Sequence, residues 1–346
     1  MDCKSNITTN WSEDGQGSIV VKVKLPGLLK KDAEHVQYDA REEDPYVPCA
    51  GCGWAPYENA RWGRDYRSHH KLSSVSLDTA VRSLGGELIM KDRPFDDNDK
   101  EAKNLQFVRD MTTIPVPIVV GEWTEADGTY HILQEKMKGD TLEQVWPSLS
   151  DEARENIAKE VTEYVLQLRT LISDRIANLD GGECPNNEFI PIEITLPIMH
   201  NDNQVWSVMA ETFPECTSEG MKEKLRWAMP ATGPYTFSHG NLAAENIMVK
   251  DGHVIGLVNW EDAGYYPVWW EYARNEIAHS FEDRDWKELL CKHMKSQHKD
   301  NKLGRRWWNA CELVRTAAES WGRVPDERLR KEAEEELDEL IAEMNR

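Results

Sequence analysis

Nowhere in the 346 residues do about 18 apolar residues run uninterrupted, so no apolar membrane-spanning helix is expected. The opening MDCKSNITTNWSEDG has no basic segment leading into an apolar run, and without such a leader the expected compartment is the cytoplasm. Cysteine is sparse and unpatterned: seven residues, at 3, 49, 52, 184, 216, 291 and 311, form an odd set that argues against a disulfide framework and reads as reduced thiols. Basic residues are also in deficit, 41 Lys and Arg against 62 Asp and Glu. The resulting formal charge of −21 repels phosphate backbones and anionic lipid, which argues against nucleic-acid and membrane partners; it suits a cationic or neutral small substrate, but plain solubility explains it more simply. Neither an internal repeat nor a low-complexity tract is present.

What is present suits a soluble globular chain, with 40% hydrophobic and 30% charged residues. Single cores stop growing near about 250–300 residues, so two lobes are expected. Residues 1–70 read as an N-terminal extension, with one alternating run at Ile19, Val21, Val23 and Leu25 followed by a Pro-, Gly- and charge-rich stretch. Residues 71–136 read as a small lobe of sheet and helix. It holds an apolar run from Glu87 ending in Lys91, a helical stripe over Asp99–Met111 with Glu101 on its first turn, and strands at Pro115–Val120 and Thr129–Glu135. Residues 137–346 read as mainly helical, opened by Ser150 as an N-cap and an apolar stripe from Ile157 to Leu171. Further helices are expected at about 218–229, 284–297, 306–321 and 327–344, with 185–215 the least regular stretch.

The informative segment is FSHGNLAAENIMVKDGHVIGLVNWEDAGYYPVWWEYA, residues 237–273. Two apolar runs, Asn246–Lys250 and His253–Val258, flank Asp251-Gly252, a strong hairpin signal, so the segment reads as loop, hairpin, loop. Phosphoryl transfer asks a protein to hold a triphosphate, hold magnesium and orient a hydroxyl. The kinase arrangement for those tasks puts a base five residues before a metal-binding Asn, with a second metal ligand after the next hairpin. Asn241 and Asn246 are five positions apart and Asn259 follows the hairpin, so the spacing fits while two side chains, at 241 and 259, are amides.

On these residues the chain resembles the aminoglycoside phosphotransferase and choline-kinase-like small-molecule kinases, particularly their fungal phosphotransferase relatives. His239-Gly240-Asn241-Leu242 with Asn246 resembles the family's His-Gly-Asp-Leu loop and its Asn. Val258-Asn259-Trp260-Glu261 resembles the Ile-Asp-Trp-Glu metal loop, and Ala263–Pro267 and Trp270-Glu271-Tyr272 extend the match. The resemblance implies an α+β, two-lobed, protein-kinase-like fold. It implies ATP and magnesium as cofactors, with Lys91 on the phosphates, Glu101 as its paired acid, Gln134 and Met137 in the hinge against adenine, and Asn246 and Asn259 as metal ligands. It places Asn241 and His239 on the catalytic turn, His239 more as a brace than as an acid or base. Segment 185–215 would flank the acceptor.

The departures weaken the expectation of magnesium and ATP chemistry. A carboxamide is neither charged nor a base at pH 7, and loss of a general base alone costs about 10²–10⁴ in rate. Magnesium prefers charged oxygen ligands, so amides at 241 and 259 weaken its site. Glu261 and Asp262 are near enough in sequence to reach a displaced metal, but read first as loop-bracing acids. Three readings stay open: a pseudokinase-like binding protein, a repurposed non-kinase enzyme acting on a small metabolite, and an ATP-dependent O-phosphotransferase with altered metal dependence. Cys49-Ala-Gly-Cys52 with His69 and His70 is a weak zinc candidate because no second close cysteine pair exists. Gly85-Gly86 is too short a signal for a phosphate loop and reads as a strand-entry turn.

Overall fold

The computed structural model describes residues 7–10, 20–23, 70–74, 80–84, 88–96, 100–185, 188–191, 195–278, 280–318 and 327–344. Cys49, Cys52 and His69, and the Gly85-Gly86 pair, lie outside the described residues. Two compact units form, Met1–Asp96 with Ile118–Lys136, and Asp97–Pro117 with Met137–Arg346.

In the first unit β1 (Ile7–Asn10) pairs antiparallel with β2 (Val20–Val23), within the alternating run of the extension. The main sheet has five strands: β3 (His70–Ser74), β4 (Ala80–Leu84), β5 (Leu88–Pro94), β6 (Val119–Thr124) and β7 (Thr129–Glu135), in the order β3-β4-β5-β7-β6. Strands β5 and β7 are central and antiparallel, with Lys91 opposite Ile132 and Ile89 opposite Gln134. Ile89, Met90, Ile132 and Leu133 form the apolar interior. A buried polar pair crosses the same two strands, Asp92 Oδ1 lying 2.8 Å from His131 Nδ1, with Trp123 stacked on the imidazole at 4.9 Å.

One strand begins later than the sequence reading placed it. Pro115 and Pro117 have no N–H to give to a ladder, so β6 starts at Val119 rather than at Pro115. Pro115 instead serves the second unit, where its carbonyl accepts from Leu257 N at 3.0 Å.

The second unit contains α1 (Glu101–Met111), the helix that the sequence reading grouped with the small lobe. Its Asn104 side chain, buried on the inner face, donates to Trp260 O at 2.9 Å and Ala263 O at 3.4 Å, and Phe107 meets Phe237 edge-on at 5.1 Å. These contacts explain the grouping. After β8 (Asp140–Thr141) come the short α2 (Leu142–Val145), closed by a capping box between Thr141 and Gln144, and the long α3 (Asp151–Leu168). Ser150 caps α3 as expected, its Oγ accepting from Ala153 N.

Two-residue strands β9 (Ile172–Ser173), β10 (Cys184–Pro185) and β11 (Thr195–Leu196) follow. Segment 185–215 is more regular than its composition implied: Asn201 caps α4 (Asp202–Glu211), which buries Val205 and Met209 one turn apart. Then come α5 (Glu219–Ala228), β12 (Tyr235–Ser238), β13 (Ile247–Lys250), β14 (His253–Leu257) and β15 (Gly264–Pro267). The helices α6 (Trp270–Ala273), α7 (Phe281–Met294), α8 (Asn301–Ala318) and α9 (Glu327–Met344) complete the chain.

Strands β13 and β14 form the hairpin expected from Asp251-Gly252, both turn residues having positive φ, 53° and 78°. Strand β8 extends it to three, and β12 lies between β15 and β9 in a second small sheet. One hydrophobic core of the second unit gathers Phe189, Trp269, Trp270, Trp307 and Trp308, so these tryptophans are structural anchors.

Gly139 leads into β8 where two backbones nearly touch: a Cβ there would lie 2.4 Å from Val249 O and 2.6 Å from Ile255 Cδ1. Because the nearest atom is backbone, it has little freedom to withdraw. Gly139→Ala is expected to lower stability by about 1–3 kcal/mol, the usual range for overpacking. Urea unfolding checks this, and an unchanged midpoint would contradict the close approach.

Candidate active site

Strand β12 is buried along its whole length and delivers His239 and Gly240 into a turn. Gly240 takes φ +83°, a conformation that costs glycine little. The turn is held from below by one carboxylate. Glu271, on α6 and 3% exposed, accepts from His239 N at 2.6 Å and from Gly240 N at 3.2 Å. The His239 ring is fully buried against Trp260, centroids 4.4 Å apart. Its Nδ1 accepts from Asn241 N at 3.2 Å, which leaves Nε2 to carry the proton and donate to Val258 O at 3.0 Å. Both nitrogens are therefore engaged with backbone groups, an arrangement that braces the turn.

Asn241, Asn246 and Asn259 come together through backbone links. Asn246 Nδ2 donates to Asn241 O at 3.0 Å, and Val258 N donates to Asn246 O at 3.0 Å, which sets Asn259 next to the first loop. With one Asn246 side-chain N–H given to Asn241 O and the backbone carbonyl given to Val258 N, the side-chain oxygen Oδ1 is the acceptor that would serve a ligand. Asn241 Oδ1 is buried with no hydrogen-bond partner. Asn259 has φ +68°, in the left-handed region that Asn and Asp tolerate better than other side chains.

Of the remaining expected residues, Met137 in this unit lies over Gly256 of β14, where a Cβ would fall 2.2 Å from its Sδ. Glu101 is fully buried at the start of α1. Lys91 and Gln134 belong to the first unit, both buried on β5 and β7, and Gln134 Oε1 has no partner.

Two carboxyls near the loops titrate high. Burial pushes Glu271 up to about 7, against the pull of the His239 and Gly240 N–H groups and of Arg169 and Arg274. Burial, and then the charge of Glu261, pushes Asp262 up to about 7. A carboxyl raised from its ordinary 4.5 to about 7 holds its proton in the folded state where the unfolded chain has lost it. Stability should therefore fall as pH rises from about 5 to 7 and level off above, by on the order of 3 kcal/mol for Glu271. Glu271→Gln should flatten much of that slope while keeping the side chain's shape. Denaturant unfolding at several pH values reads it, and identical slopes in the two proteins would refute the assignment.

The donor set fits magnesium poorly. The oxygens offered by residues 241, 246 and 259 are neutral carboxamides, while magnesium sites are built on one or two carboxylates. Among the described residues no group of three or more His, Cys, Asp and Glu is placed to hold a metal ion.

The profile of a phosphotransferase enzyme family (APH) matches residues 73–288, well over half of the chain and both of the loops just described. The chain belongs to this phosphotransferase family. Among solved structures it is similar to a thermostable mutant of aminoglycoside phosphotransferase APH(4)-Ia in its apo form, at 13% identity and TM-score 0.50, covering 83% of this chain and 98% of that one. It is similar also to the structure of aminoglycoside phosphotransferase APH(4)-Ia, at 12% identity and TM-score 0.50, covering 83% and 97%. At such identities the likeness is one of fold, and it gives this phosphotransferase-family chain a protein-kinase-like α+β architecture. No curated protein sequence matches it. No helix among its described residues is long and apolar enough to cross a membrane.

Three residues that organise the loops of this family member carried no assigned role in the sequence reading. Glu271 had a signal, a lone acid inside the apolar run Val268-Trp269-Trp270-Glu271-Tyr272, and an acid buried among tryptophans needs donors. Asn104 and Asp283 had none, because their partners lie 156 and 39 residues away in the chain.

Proposed function

We propose that this protein is a small-molecule-binding member of the phosphotransferase family whose magnesium-dependent phosphoryl transfer is impaired, acting either as a pseudokinase-like binder or as an enzyme repurposed to a non-kinase reaction. One observation carries the proposal. Asn241 and Asn259 stand on a well-braced pair of loops, where Glu271 and His239 engage the backbone with short hydrogen bonds, yet both present neutral amides. A decayed site would be expected to lose its bracing together with its chemistry.

The nucleotide-contact roles of Lys91, Glu101, Gln134, Met137 and Asn246 enter this reading on the resemblance alone. A bound nucleotide would supply a transferable phosphoryl group. Asn241 would accept a hydrogen bond from a ligand hydroxyl through Oδ1 without taking its proton, and Asn259 would offer a metal only an amide oxygen. Cytoplasmic residence belongs to this reading, on the odd and unpatterned set of cysteines in the sequence.

A second reading, an ATP-dependent O-phosphotransferase with altered metal dependence, draws on the carboxyls of Glu261 and Asp262, close enough for Glu261 to raise Asp262. Calorimetry separates the two. Weak ATP binding that changes little when magnesium is added is the expected result. Tight, magnesium-dependent binding would overturn the proposal in favour of the kinase reading.

A further inference from the structure

The loop from Gly240 to Asn246 is held from a second side, by α7, and no role in the proposed function accounts for this grip. The 3-10 turn Ala244–Asn246 opens after Ala243, whose side chain has nothing to cap it with. Its first N–H, on Ala244, donates instead to Asp283 Oδ1 at 2.8 Å. Asp283 stands in the first turn of α7, where Ser280 Oγ accepts its backbone N–H at 3.1 Å, while its carboxylate reaches across to the loop. One turn on, Lys287 Nζ lies 2.8 Å from Asp283 Oδ2 and donates to Ile277 O at 2.5 Å. Both side chains of this pair are only 3% exposed. Trp286, on the same helix, donates its indole N–H to Leu242 O at 2.9 Å. Thus α7 fixes one donor and one acceptor of the loop at positions two residues apart.

A buried ion pair is a poor way to gain stability, since apolar residues of similar volume often do as well or better. What the pair does supply is direction. Lys287 fixes the Asp283 carboxylate, and that carboxylate fixes a single backbone N–H two residues before Asn246.

We propose that Asp283, oriented by Lys287 and seconded by Trp286, is a positioning residue that sets where Asn246 presents its side-chain oxygen, and so controls affinity for the nucleotide. The inference rests on the nucleotide role proposed above for Asn246. Asp283 touches no ligand in this scheme; it acts through the Ala244 N–H and the Asn246–Asn241 hydrogen bond.

The test uses the full chain in a common Lys287→Gln background, in which the ion pair is gone from every variant. Adding Asp283→Asn keeps an oxygen for Ala244 N–H, while adding Asp283→Leu keeps the shape and removes it. Two quantities are read, ATP affinity by calorimetry and amide hydrogen exchange across residues 240–247, with unfolding midpoints recorded alongside. The Asn variant is expected to bind ATP as the parent does. The Leu variant should bind about tenfold more weakly, the equivalent of one hydrogen bond, and exchange faster only in that segment. Equal affinity and equal exchange in the two variants would overturn the proposal. Should the parent bind no ATP, the nucleotide reading fails, and exchange across 240–247 alone judges the positioning. Should the Leu variant fail to fold, Trp286→Phe takes its place, with accelerated exchange at 240–247 expected and unchanged exchange counting against the grip.

Discussion

Alanine at Glu271 is expected to lower stability by about 3–5 kcal/mol, the cost typical of breaking a buried charged network by removing one member. The side chain is nearly inaccessible, and three kinds of partner lose by its removal. The His239 and Gly240 N–H groups are left buried without an acceptor, each worth about 1–3 kcal/mol when orphaned. Arg274, 5% exposed, loses the nearby charge of Glu271, although Glu188 stays 3.1 Å from its Nη2. Arg169, which burial pushes down to about 10, loses the carboxylate that opposes that fall. Glutamine should cost less than alanine, because its carbonyl oxygen still meets the turn. Urea unfolding of both variants checks the ordering; an alanine variant within about 1 kcal/mol of the parent would show that these hydrogen bonds are not holding the turn.

The same carboxylate shows what could be read in the sequence and what could not. Local signals held: the Asp251-Gly252 hairpin has both turn residues at positive φ, Ser150 caps α3, and strand β7 runs Thr129–Glu135 as expected. Each depends on residues within a few positions of one another, where turn chemistry, caps and periodicity operate. The loop around Asn241 was legible for a related reason, its five-residue spacing to Asn246 being a local constraint of one turn.

Long-range partners were not legible. Nothing in the period of α1 marks Asn104 as the donor to Trp260 O, and nothing in the first turn of α7 marks Asp283 as the acceptor for Ala244. Helix α4 escaped notice because its apolar residues Val205, Trp206, Val208, Met209 and Ala210 all fall within six positions, too short a run to tell helix from strand, and its cap Asn201 lies in a polar run. Strand β6 was misplaced by its apolar composition, when the two missing proline N–H groups decide where the ladder starts.

The electrostatic deficit at residues 241 and 259 is the point on which the functional account turns, and it can be reversed one atom at a time. Aspartate replaces asparagine with almost no change of volume, and the left-handed backbone at 259 accepts either residue. At 241 the new carboxylate would supply the missing proton acceptor, an effect usually worth about 10²–10⁴ in rate. At 259 it would return a charged oxygen to a set that now offers magnesium only amides. The decisive measurement is magnesium-dependent ATP turnover by the Asn241→Asp, Asn259→Asp protein beside its parent. A gain of about a hundredfold or more over a nearly inactive parent is the expected result. A parent that already turns over ATP with magnesium as fast as the double variant, or a variant that gains nothing, would contradict the account.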